Sequence, residues 1–180
     1  MNEPATTITG TAQAMRYAFD RSFSQAPVTE AARFENMLAV RIRGDAYVIP
    51  VAGIRALYAD RRVVALPTSI AELLGVAIFL GQVAPVYDLA ALLGYERRAV
   101  PRWFVLARWR DPVAFALDTF EALLSVAPEN VVSPVDGVEP GDARPYLRGA
   151  VHAGEVLCPI VHLPSVLDDI QKRVEASHLK

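Results

Sequence analysis

Leu74-Gly75-Val76-Ala77-Ile78-Phe79-Leu80-Gly81-Gln82-Val83-Ala84-Pro85-Val86-Tyr87-Asp88-Leu89 is the stretch whose reading decides the fold. Gly75 and Gly81 bound one short apolar run and Pro85 interrupts the next, a pattern of paired strands rather than of a helix. Asp88 then stands where a helix can start, its carboxylate placed to accept the first free backbone N–H groups, with Leu89, Leu92 and Leu93 lining that helix.

Working outward, Met37 to Arg43 alternates Leu38, Val40 and Ile42 against Ala39, Arg41 and Arg43, and Gly44-Asp45 reads as a two-residue turn into a second strand from Ala46 to Val51. On the other side, Phe104 to Arg108 and Val113 to Asp118 read as strands joined by a turn at Arg110-Asp111-Pro112. Leu123-Leu124-Ser125-Val126, Pro128-Glu129-Asn130-Val131, Tyr146-Leu147-Arg148-Gly149 and Val156 to Leu163 follow as further short strands and turns. Short strands at this spacing predict an all-β barrel or sandwich.

Taken in order, these motifs resemble the CheW family of bacterial chemotaxis coupling proteins. The likeness runs from Leu-Gly-Val, Gly-x-Val-x-Pro-Val and Asp-Leu at the centre to the flanking hairpins, over about residues 36 to 168. It implies a mainly β, CheW-like fold of two SH3-like five-stranded barrel lobes with short helices and a C-terminal helix. The organisation expected is an N-terminal extension at 1–36, a CheW-like domain at 37–168 with a lobe boundary near 95–102, and a terminal helix at 164–180. Within the extension, residues 11–24 suit an amphipathic helix capped by Thr11, with Ala12, Met15, Phe19 and Phe23 on one face, and residues 24–36 read as a linker. Ser69 and Glu72 form a capping box that predicts a short helix over Ser69–Leu74. Residues 134–145, rich in Gly, Pro and acids, read as a long loop, and Val166, Leu167, Ile170 and Val174 mark one face of the terminal helix.

Composition narrows the classes. A chain of 180 residues with 53% hydrophobic content has ample material for one domain or two small lobes, and a net charge of −2 lacks the basic surplus of a general nucleic-acid binder. The lone Cys158 cannot form an internal disulfide, which suits a reducing compartment. The first ten residues lack the charged start and apolar core of a signal peptide, and the apolar run between Glu72 and Asp88 spans 15 residues with two Gly and a Pro, too short to cross a bilayer. A cytoplasmic chain without direct membrane insertion is expected, held at the membrane only through a receptor complex.

Catalytic chemistry is not legible. His152, His162 and His178 share no metal-ligand spacing, Cys158 between Leu157 and Pro159 reads as a core thiol, and Asp88, Asp118, Asp168 and Asp169 read as caps and turn ends rather than an acid–base pair. Gly75 and Gly81 are not followed by the residues of a phosphate or dinucleotide loop. No enzyme activity, cofactor or metal is therefore expected. The alternative is a small β-barrel that binds nucleic acid through Arg97, Arg98, Arg102, Arg108 and Arg110 with Trp103 and Trp109; strand alternation places those arginines at strand ends, where solvated charge is ordinary.

The resemblance implies an adaptor that couples methyl-accepting chemoreceptors to a CheA-like histidine kinase. It implies kinase contacts at Val51, Ile54, Leu74 and Gly75, and a receptor-facing region at Ala56, Leu80 and Gly81. Here the chain departs from the family: Leu80 replaces the Arg of Asn-Leu-Arg-Gly, and Ala56 replaces the Glu of Val-x-Glu-Ile. Losing both members avoids stranding one charge, which predicts that Ala56 and Leu80 approach each other across neighbouring strands.

Overall fold

The computed structural model describes residues 34–96, 101–132, 146–154 and 156–178. The helix expected over 11–24, the loop over 134–145, and Arg97 and Arg98 lie outside the described residues. What is described is mainly β. The strands are β1 (Glu35–Ile42), β2 (Asp45–Pro50), β3 (Ile54–Ala59), β4 (Leu73–Phe79), β5 (Gln82–Asp88), β6 (Trp103–Ala107), β7 (Ala114–Leu117), β8 (Thr119–Val126), β9 (Val131–Val132), β10 (Leu147–Ala153) and β11 (Val156–Val161). A short helix, Leu89–Leu92, follows β5, and a longer one, Leu163–His178, ends the chain.

The strands form two sheets, one ordered β8-β1-β2-β11-β10-β9 and the other β3-β6-β7-β5-β4. The second is the expected five-stranded lobe; the first has six strands when the two-residue β9 is counted. The boundary expected near 95–102 does not separate them, because β3, β4 and β5 before it pair with β6 and β7 after it. One sheet is inserted whole between β2 and β8 of the other. A sequence read end to end shows strand succession, whereas lobe membership depends on which edges hydrogen-bond.

Alternation puts each strand's two faces to use. In β6, Trp103, Val105 and Ala107 point into a core cluster drawn from both sheets, while Phe104 and Leu106 point into a second cluster inside the five-stranded sheet. There, Ala77, Ala84, Ala114 and Ala116 leave room for the Phe79 and Phe104 rings, whose centroids lie 6.1 Å apart. Small beside large is how such an interior fills without voids. A third cluster, including Met37, Val48, Val126, Val151, Cys158 and Ile160, fills the six-stranded sheet. The terminal helix seals the shared core with Val166, Leu167 and Ile170, the face its spacing predicts.

Two details differ from expectation. The first hairpin turns at Arg43-Gly44, with φ of 54° and 89°, and Asp45 already belongs to β2. Two successive positive φ values match the right-handed twist of a two-residue hairpin, so the turn sits one residue earlier than Gly44-Asp45. The helix expected over Ser69–Leu74 is absent: Leu73 and Leu74 belong to β4, and Thr68 Oγ1 accepts from the Ile70 N–H at 3.0 Å. Glu72 reaches away, to Arg173 Nη1 at 2.9 Å. Pairing of Leu73 with Tyr87 outweighs the local capping signal.

Candidate interaction surface

The residues expected to meet a kinase fall into three environments. Ile54, 8% exposed, is part of the core shared by both sheets, with Val51 packed against it. Leu74 packs against the interior of the five-stranded sheet. Gly75 is buried, at φ +139°, and a Cβ there would lie 2.1 Å from the Val64 carbonyl oxygen. Ile54 and Gly75 are therefore both enclosed by their own fold. Ala56 and Leu80 are not on neighbouring strands as expected: β3 and β4 do not pair and meet only through the interior, where the Tyr58 and Phe79 rings lie 5.2 Å apart, Ala56 packs against that interior, and Leu80 stands in the β4–β5 turn.

What the structure exposes instead is the outer face of the β4–β5 hairpin. Ile78 and Val83 are directly paired across the hairpin and are 63% and 62% exposed. Two residues back along each strand, on the same face, Val76 pairs with Pro85, and beyond them Leu73 pairs with Tyr87. Tyr87 is buried under the terminal helix, where Ile170 and Val174 line a small cavity with it. The same sheet face is thus covered at one end and bare at the other. Val64 widens the bare end: its N–H and C=O exchange hydrogen bonds with Val76 at 2.8 and 2.9 Å, and its side chain is 55% exposed. Leu80, with φ +50°, and Gly81, with φ +76°, make the tip. A contiguous apolar sheet face of this kind marks an interaction site more than scattered single residues do.

The polar groups are structural. Arg43 carries its backbone N–H and Nη1 to the two Asp118 carboxylate oxygens, each at 2.6 Å, and Nη2 lies 3.7 Å from Asp88 Oδ2. Asp88 in turn caps the helix after β5 through the N–H groups of Ala90 and Ala91, as the sequence predicts. Arg43 thereby ties the six-stranded sheet to the ends of β5 and β7. On the far side, Arg173 Nε meets Asp169 at 2.8 Å, its Nη1 meets Glu72, and its Nη2 donates to the Tyr146 hydroxyl, which itself donates to Asp169 at 2.5 Å. Burial and the bond to Asp169 push the Tyr146 hydroxyl up to about 12. Burial, aided by Arg148, lowers His162, whose Nδ1 pairs with Ser165 Oγ at 2.7 Å, and burial raises the Cys158 thiol. A thiol shifted that way is a poor nucleophile. Among the described residues, no group of three or more His, Cys, Asp or Glu side chains could hold a metal ion. Arg102 pairs with Asp60, Arg108 donates to the Ile54 carbonyl, and Arg110 pairs with Asp111, so these arginines of the alternative reading are tied to their own fold. No described helix is long and apolar enough to cross a membrane.

Two sheets in this order, one nested in the other, with an exposed apolar hairpin face, are where the comparisons with known proteins bear. The family model described as "CheW-like domain" matches residues 36–171. The chain belongs to the CheW-like family. The scaffolding protein TtCheW of Thermoanaerobacter tengcongensis has a similar solved structure, with a TM-score of 0.62 and 12% identity over 72% of this chain and 91% of that one. At that identity the likeness speaks to the fold alone. No curated protein matches. Within this CheW-like domain, sequence reasoning did not single out Ile78, Val83 or Val64. The available signal was the second face of β4: Val76 and Ile78 are as apolar as the inward Ala77 and Phe79, more than one buried face requires.

Proposed function

We propose that this protein is a non-catalytic signalling adaptor of the cytoplasm that couples a chemoreceptor to a CheA-like histidine kinase. The observation that carries the reading is the bare β4–β5 face in a domain of the CheW-like family. A flat face of β-branched residues suits another sheet face, and the resemblance implies a kinase regulatory domain that is itself CheW-like. Ile78, Val83 and Val64 replace Ile54 and Gly75 as the contacts, with Leu74 on the inner side of β4 behind them.

Coupling two partners requires a second surface. Leu123 on β8 is an exposed apolar residue of the six-stranded sheet, and nearby in the same strand Phe120 packs on Trp103 of the other sheet at 5.4 Å between centroids. That seam supports a receptor contact separate from the kinase face. The test is calorimetric titration of the purified chain with the regulatory domain of a CheA-like kinase from the same organism, followed by co-sedimentation with receptor-bearing membranes. Ile78→Arg abolishes kinase binding and leaves receptor binding; Leu123→Arg does the reverse. A chain that binds neither the kinase domain nor the membranes is not an adaptor of this kind.

A further inference from the structure

Residues 60–72 lead from β3 to β4 along the outside of the five-stranded sheet, and most of their side chains are exposed. At the near end Asp60 N–H donates to the Arg102 carbonyl at 2.8 Å; at the far end the Glu72 carbonyl accepts from the Asp88 N–H at 2.8 Å. Between them, the segment's backbone is hydrogen-bonded to the sheet at one place, Val64 against Val76. There β4 is an edge strand, and Val64 occupies part of its open side. The contact is unusually close because of Gly75. A Cβ at that position would meet the Val64 oxygen at 2.1 Å, the Val64 carbonyl carbon at 2.7 Å and the Ala65 Cα at 2.8 Å, all backbone atoms with no side-chain freedom to yield. The φ of +139° excludes L side chains on a separate ground.

We propose that residues 60–72 are a strap that completes the docking face, and that Gly75 is the positioning residue that lets the strap lie on β4. Seated, the strap brings Val64 beside Val76 as part of the apolar face. It also carries Arg61, whose guanidinium lies 4.6 Å from the centre of the Tyr58 ring, and Arg62, which has no ion pair among the described residues. The face therefore fits a protein partner with an apolar sheet surface and an acidic rim. This rests on the kinase-docking reading and assigns Gly75 an indirect part in it: Gly75 acts through the strap and does not touch the partner.

The experiment uses the full chain and reads amide hydrogen exchange together with binding of the CheA-like regulatory domain. Gly75→Ala lifts the strap: the Val64 and Val76 amides exchange roughly tenfold faster or more, those of β6 and β7 stay protected, and binding falls by about the same factor. Should Gly75→Ala fail to fold, Val64→Pro cuts the same bridge from the strap side by removing its N–H donor, with β4 untouched, and gives faster exchange of the Val76 amide together with the same fall in binding. Two results overturn the proposal. One is Gly75→Ala losing binding while both amides stay protected, which makes Gly75 a direct contact. The other is Val64→Pro binding like the wild type, which removes the strap from the face. If the wild-type chain binds no such kinase domain, the kinase reading fails separately; protection at Val64 and Val76 in Gly75→Ala then decides whether Gly75 seats the strap.

Discussion

Two of the tight hairpins share one turn and serve opposite ends. Arg43-Gly44 between β1 and β2 and Leu80-Gly81 between β4 and β5 each place a non-glycine residue and then a glycine at positive φ, the two-residue geometry that matches strand twist. Arg43 then disappears between Asp118 and Asp88, with its side chain 14% exposed. Leu80 projects into solvent, 58% exposed. Identical local backbone chemistry yields an internal joint in one case and the tip of a docking face in the other. What differs is whether the neighbouring sheet supplies partners.

The contrast can be broken most severely at the joint. Arg43→Ala leaves two carboxylates facing each other with their cation gone, and urea unfolding should show a loss of about 3–5 kcal/mol. Leu80→Ala at the equivalent position should stay within about 0.5 kcal/mol of wild type. Equal losses would show that the turn itself, and not its tertiary partners, sets the cost.

A second comparison sets core against surface on the same sheet. Ile54→Arg buries a charge in the shared core and should prevent stable folding, seen as lost cooperativity in thermal melting. Ile78→Arg should melt like the wild type yet weaken kinase-domain binding by about 2 kcal/mol or more, the loss typical of a central interface residue. A well-folded Ile54→Arg protein would mean that the β3 register is wrong.

Smaller effects sharpen the turn comparison. A leucine in the left-handed region costs about 1–2 kcal/mol relative to its preferred conformations, and asparagine tolerates that region better. Leu80→Asn should therefore raise stability by up to about 1 kcal/mol while reducing the apolar tip. A drop in melting temperature would show that Leu80 is packed after all. The smallest effect expected is the coupling between Ala56→Glu and Leu80→Arg. Because Ala56 packs against the interior while Leu80 is 58% exposed in the turn, a double-mutant cycle should be additive within about 0.3–0.5 kcal/mol. A larger coupling would put the two positions in contact.

Much of this was readable from residue order alone. Alternation in Leu38, Val40 and Ile42 identified a strand face correctly, because side-chain direction in a strand has a fixed period of two whatever lies opposite. Asp88 was identifiable as a cap for the same reason: its partners, Ala90 and Ala91, are two and three residues away. The terminal helix announced itself through Val166, Leu167, Ile170 and Val174. The capping box at Ser69 misled because the local signal competed with a strand pairing to Tyr87, fourteen positions from Leu73, that no local window contains.

By itself, then, the sequence determined the mainly β class, most strand faces, the Asp88 cap, the terminal helix and the family, all of which depend on short-range geometry or on motif order. Only the tertiary structure decided which strands share a sheet, that Ile54 and Gly75 are buried while Ile78, Val83 and Val64 are bare, and that β3 and β4 do not pair. The reason is physical. An apolar residue in a strand states that one face wants cover, but whether a core, a helix or a partner provides it depends on residues tens of positions away and on which sheet edge they reach.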